Sequence, residues 1–194
     1  MGSRAAPWYI DRYIQADIAI NVEAFGSTVR GSIVVEHRFL ATMSPARLID
    51  ELRSLLADER DFIANAANTS ALLFARLPDV NWAGTYLLRS GTLVLGPFQG
   101  KPACVRIELG RGVCGTSAQR RETIVVPDVH QFPGHIACDA DSRSEIVVPL
   151  IAAGRLLGVL DLDSPRPSRF TADDARLLES VASELLSASN LEAF

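Results

Sequence analysis

The run from His130 to Glu145 gathers the residue types most able to do chemistry in this chain. Cys138 lies there in a polar stretch, with His130 and His135 before it and Asp139, Asp141 and Glu145 after it. A cysteine kept for packing prefers apolar neighbours. One set among ionisable groups is more often kept for its reactivity. The only other cysteines, Cys104 and Cys114, lie upstream, so the pattern suggests a nucleophile with a resolving partner. The spacings, 10 residues from Cys104 to Cys114 and 24 from Cys114 to Cys138, give neither a dithiol C-x-x-C nor a zinc knuckle. His130 and His135 match one half of a zinc pattern whose cysteine half is missing, so no metal site is expected. Gly110-Arg111-Gly112 with Gly115 falls short of a dinucleotide fingerprint and reads as a turn into a helix.

A second set of candidates comes from strand periodicity. Side chains alternate between faces along a strand. In a strand over 155–163, Leu157, Val159, Asp161 and Asp163 share one face, and Leu156, Leu160 and Leu162 the other. In a strand over 145–151, Glu145, Val147, Pro149 and Ile151 share a face. Ala153-Gly154 between the two is a hairpin signal. Pairing about that turn brings Glu145 to the end that carries Asp161 and Asp163. Three carboxylates so placed raise one another's pKa, and would serve to bind a cation or donate a proton unless they form a solvated rim. Strand 82–88 puts Trp82, Gly84 and Tyr86 on one face. Two rings about a glycine would leave a slot for a methyl or thioether group, or be ordinary core aromatics.

The remaining elements must position these residues. Ser44-Pro45 opens a helix over 45–57, with Leu48, Ile49, Leu52, Leu55 and Leu56 at helical spacing. A second helix is expected over 60–76. Strands follow near 82–88, 92–97 and 103–108, the last placing Cys104 on a strand, then a short helix near 112–119 and a strand near 123–126. Thr171 caps a final helix with a stripe of Leu177, Leu178, Val181 and Leu185. The expectation is an α+β domain over 43–194, a central antiparallel sheet with N- and C-terminal helices packed on it. Residues 1–42 lack this order and read as an extension upstream of a natural start at Met43. An apolar face left on the first helix would offer a homodimer contact.

Composition narrows the classes. The chain has 194 residues, 48% hydrophobic, enough for one domain with a real core. Net charge is 19 − 23 = −4, which gives no electrostatic footprint for nucleic acid. No window has the run of roughly 18 apolar residues that a membrane span needs. Asp11, Arg12 and Asp17 break any signal-peptide core. The expected compartment is therefore the cytoplasm, where thiols stay reduced and a fixed disulfide scaffold is not expected.

Taken together, several runs resemble the free methionine-(R)-sulfoxide reductases, which are built on the GAF fold. These runs are Asn81-Trp82-Ala83-Gly84-Thr85-Tyr86, Leu95 to Cys104, Gly112-Val113-Cys114-Gly115-Thr116, Val126-Pro127-Asp128-Val129-His130, Gly134 to Asp139, Ser142 to Pro149, and Gly158 to Ser164. The resemblance covers roughly 44–190. Thr85 departs from it, because the family usually has Phe there. It implies that Cys138 attacks the sulfoxide sulfur and becomes a sulfenic acid. Cys104 would resolve this as a disulfide, Cys114 would be an auxiliary thiol, and NADPH-linked thioredoxin would be the external reductant, with no bound cofactor. Glu145, Asp161 and Asp163 would hold the substrate ammonium and protonate the sulfoxide oxygen. Trp82 and Tyr86 would enclose the methyl end, and backbone N–H groups of the 134–139 loop, at Ile136 and Ala137 among others, would hold the carboxylate.

This reading contains a tension. A sulfoxide oxygen leaves only when protonated, which calls for an acid of raised pKa. The same carboxylates disfavour a thiolate at Cys138. A bound ammonium offsets part of that field, which favours free methionine sulfoxide over a peptide-bound residue. The provisional division gives the ammonium to Asp161 or Glu145 and the oxygen to Asp163. Two other classes compete: a non-catalytic GAF-type sensor of a small molecule, and a thiol redox sensor. The first would carry an output domain, whereas only Ser187 to Phe194 are expected beyond the last helix. The second would need neither the acids nor the aromatic wall.

Overall fold

The computed structural model describes residues 44–134 and 140–192. The expected extension over 1–42 and start at Met43 lie outside them. Ser44 accepts a hydrogen bond from the Arg47 amide and Pro45 takes the first helical position, opening α1 (Pro45–Leu56). Asp61 caps α2 (Phe62–Arg76) through the Ala64 amide. Six strands follow: β1 (Trp82–Arg89), β2 (Thr92–Gly100), β3 (Arg106–Glu108), β4 (Ile124–Val126), β5 (Ser144–Ala152) and β6 (Arg155–Ser164). Helix α3 (Gly112–Arg120) lies between β3 and β4. Thr171 and Asp174 form a reciprocal capping box at the start of α4 (Ala172–Ala188).

The strands form one antiparallel sheet in the order β3-β2-β1-β6-β5-β4. Helices α2 and α4 cover one face and α1 packs on both of them, forming a core in which Leu48, Leu73, Ile146, Leu160, Leu162, Leu178 and Leu185 are buried. Helix α3 packs on the other face through a smaller core that contains Val113, Ala118, Val147 and Val159. This is the expected α+β architecture. No described helix is long and apolar enough to cross a membrane.

Three expectations need correction. Leu157 lies on the same face as Leu160 and Leu162, and Leu156 on the face of Val159, the reverse of strict alternation. The pairing shifts between Leu150↔Gly158 and Ile151↔Leu156, so Leu157 is an extra residue in a bulge and every side chain nearer the turn changes face. The turn itself is as expected, with Ala153 and Gly154 both at positive φ (48° and 74°).

Cys104 is not on a strand, because β3 begins only at Arg106. The β2–β3 ladder ends with the Leu95 amide bonded to the Val105 carbonyl. Pro97 has no N–H with which to continue it, and Pro102 has none on the other side. The apolar face of α1 points inward: Leu48, Leu52 and Leu56 are buried, and Ile49 and Leu55 are half-buried against the same core. Among the described residues the exposed large hydrophobics are Ile63, Phe74 and Val105, so α1 offers no free apolar stripe for a dimer.

Candidate active site

The cleft lies on the α3 face, at the end of the sheet away from the β5–β6 turn. Pairings Glu145↔Asp163, Val147↔Asp161, Trp82↔Asp163 and Gly84↔Asp161 run across β5, β6 and β1. The period-2 rule therefore brings Glu145, Asp161, Asp163, Trp82 and Tyr86 to one surface, as expected, and all five line the cleft. Helix α3 closes one side through Gly112, Val113 and Cys114. Its close approach requires Gly115, where a Cβ would sit 2.2 Å from the Glu108 carbonyl oxygen.

The acids are not a solvated rim. Glu145 is 6% exposed and Asp161 5%, whereas Asp163 is half-buried. Burial, more than mutual repulsion, pushes the Glu145 carboxyl well above its ordinary range, with Asp161 and Asp163 adding to the effect. Burial likewise lifts Asp161 to about 7, although hydrogen bonds with Cys114 and Glu145 pull in the opposite direction. One oxygen of Asp161, Oδ1, is buried without a hydrogen-bond partner. The Cys114 thiol donates to Glu145 Oε1 at 3.9 Å. Its own pKa is raised by burial first, then by Asp161 and Glu145, so Cys114 persists as a thiol and is a poor nucleophile. The Cys114 sulfur and one oxygen each of Glu145 and Asp161 lie within 4.8 Å of one another, close enough to share a cation.

The aromatic wall differs from the expected slot. Trp82 stacks on Tyr86 at 5.9 Å between centroids, and on Phe98 at 5.4 Å. A Cβ at Gly84 would meet Trp82 Cη2 at 2.6 Å and Phe98 Cβ at 2.4 Å. Gly84 thus makes room for the indole and for β2, and no gap is left between the rings. Trp82 and Tyr86 line the cleft, and Phe98, which sequence reading missed, stacks on Trp82 without lining it. Burial raises the Tyr86 hydroxyl pKa, so it stays protonated. Thr85 faces the opposite side, as expected, and donates to the Pro97 carbonyl at 3.3 Å. Ser70 on α2 donates to the same oxygen.

Cys104 is disulfide-bonded and half-buried, and Cys114 is free. Pro102 and Ala103, just before Cys104, line the cleft. The Trp82 indole N–H donates to the Lys101 carbonyl at 3.1 Å, and the Lys101 ammonium pairs with Asp141. Cys138, Ile136 and Ala137 lie outside the described residues. Sequence reading also missed Arg111, Ile107 and Ser142 as lining residues; they reach the cleft from the turn before α3, from β3 and from two residues before β5. Arg111 left a trace in the Gly-Arg-Gly run, and Ser142 opens one of the runs that carry the resemblance.

A GAF domain model matches residues 46–188. The free methionine-R-sulfoxide reductase of Escherichia coli is 55% identical over 140 residues, covering 72% of this chain and 85% of the relative. The chain belongs to the free methionine-R-sulfoxide reductase family of GAF domains. A structure of the Staphylococcus aureus family member in its reduced form aligns with a TM-score of 0.73 and 49% identity, over 75% of this chain and 95% of that one. The Neisseria meningitidis family member, solved in complex with its substrate, aligns with a TM-score of 0.72 and 46% identity, over 74% and 87%.

Proposed function

We propose that this chain reduces free L-methionine-(R)-sulfoxide to methionine. The observation that carries the reading is the pair of buried carboxyls of raised pKa, Glu145 and Asp161, facing an aromatic wall beside a disulfide-bonded cysteine. A sensor would have no use for an acid held ready to give up its proton at neutral pH. The substrate enters as a zwitterion with its methyl end on Trp82 and Tyr86. Backbone N–H groups at Ile136 and Ala137 receive its carboxylate.

The thiol of Cys138 attacks the sulfoxide sulfur, the S–O bond breaks, and oxygen passes to Cys138 as a sulfenic acid while methionine leaves. The Cys104 thiol displaces water from that sulfenic acid to give a Cys104–Cys138 disulfide. Support for this pairing comes from the bonded state of Cys104 beside a free Cys114. Thioredoxin then returns both thiols by exchange, becoming oxidised itself. This cycle suits a reducing compartment such as the cytoplasm.

Burial supports a division of labour opposite to the one expected from sequence. Protonating the sulfoxide oxygen needs a carboxyl that keeps its proton near neutrality. Glu145 and Asp161 meet that need, so Glu145 delivers the proton and Asp161 supports it. The half-buried Asp163 meets the ammonium at the open side. The test is thioredoxin-coupled NADPH oxidation with the free R epimer, the free S epimer and a peptide-bound R-sulfoxide. Turnover with the free R epimer alone is expected. No turnover with any of them, on folded and reduced protein, would replace this reading with a small-molecule sensor.

A further inference from the structure

The geometry points to a second ligand for this cleft: a thiophilic divalent cation such as Zn²⁺, held by Cys114, Glu145 and Asp161 and excluding the substrate ammonium. Three observations carry it. First, the sulfur of Cys114 and one oxygen from each carboxyl lie within 4.8 Å of one another. Zn²⁺ bonds of about 2.1–2.3 Å to oxygen and sulfur set tetrahedral ligands roughly 3.5 Å apart, so an inward shift of about 1 Å completes a site. Second, Asp161 Oδ1 is buried with no hydrogen-bond partner and belongs to a residue that lines the cleft. That oxygen lacks a positive partner, which an ammonium or a metal ion would supply. Third, Cys114 is a free thiol. Sulfur discriminates in favour of Zn²⁺ over Mg²⁺ or Ca²⁺, which prefer oxygen alone.

Three protein ligands leave a fourth position facing the cleft, where water would complete the shell. Binding releases the thiol proton and any carboxyl proton to solvent, so affinity rises with pH. Occupation places a dication in the same cleft as Asp163, where it repels the substrate ammonium, and removes the acid that protonates the oxygen. The cation is then an inhibitor competitive with the sulfoxide. The inhibition rests on the reductase reading, whereas the binding does not.

Cobalt(II) reports the site directly, because a thiolate ligand gives it a near-ultraviolet charge-transfer band. The oxidised full-length chain is titrated with Co²⁺, and Zn²⁺ is then used to displace it. The expected result is one equivalent of Co²⁺ and a thiolate band that is absent in Cys114→Ser. Asp161→Asn and Glu145→Gln should each weaken binding at least about tenfold. Absence of the band, or its survival in Cys114→Ser, would overturn the inference. If Cys114→Ser does not fold, the two carboxyl variants decide, and unchanged affinity in both would overturn it. Turnover without Co²⁺ binding would leave the reductase reading standing alone. Binding without sulfoxide turnover would leave the metal site and remove the claim of inhibition.

Discussion

The two faces of the sheet are built from the same strands and differ in almost everything else. On the face covered by α2 and α4, Ile146, Leu160 and Leu162 are fully buried in apolar surroundings. One residue away on β6, Asp161 and Asp163 point to the face covered by the shorter α3. Burial stabilises the first face, and holding carboxyls out of water destabilises the second. The comparison shows where stability was given up for chemistry. The helix-covered face holds the sheet while the other face keeps two acids out of water and protonated.

The largest expected effect separates the two faces by activity alone. Cys138→Ser should abolish reduction and, with both proteins fully reduced, leave the thermal transition intact. Cys104→Ser should release about one methionine per enzyme and then stall with thioredoxin. Full multiple turnover by Cys104→Ser in the coupled assay would remove its resolving role. On the opposite face the expectation inverts: Leu162→Ala should cost about 2–5 kcal/mol of stability, read by denaturant unfolding. A cost near zero would show that the helix-covered face does not hold the fold.

Smaller effects sharpen the contrast. Glu145→Gln should lower kcat more than it changes KM, and Asp163→Asn should raise KM more than it lowers kcat. The opposite split in steady-state assays would restore the proton to Asp163. Asp161 ties the two faces together through pH. Its folded pKa of about 7 lies above its ordinary value of 3.8, so the folded chain binds more protons than the unfolded one between those values. Stability should therefore fall as pH rises from about 4 to 7, and this group adds no further slope above that. Asp161→Asn should flatten the slope in urea unfolding measured across that range. The smallest effect is at a cap far from the cleft. Thr171→Ala breaks the capping box of α4 and should cost about 1 kcal/mol, with activity unchanged below the melting transition.

Much of this was legible because it depends on local rules. Ser44, Pro45 and Thr171 mark helix starts by the hydrogen bonds that their types can make. The Ala153-Gly154 turn set the β5–β6 hairpin and brought Glu145 to the end that carries Asp161 and Asp163, but the Glu145↔Asp163 pairing itself needs the extra residue of the bulge. Strict alternation failed at Leu157, since a bulge inserts one residue without a signature in residue type. The strand expected through Cys104 failed for a reason visible only once β2 and β3 were paired: Pro97 stands where the next amide donor is needed. The slot over Gly84 failed because the Trp82 ring lies over Gly84 on its own strand and stacks on Phe98 of the neighbouring strand.

By itself the sequence determined the order of elements, the hairpin with carboxylates at its open end, the aromatic pair and the three cysteines, because period, caps and turns are short-range. Tertiary structure alone decided that Glu145 and Asp161 are buried while Asp163 is half-open. It also decided that Cys114 faces those two acids from α3, and that Phe98 stacks on Trp82. A pKa depends on how much water a group retains, and that is fixed only when distant segments close over it.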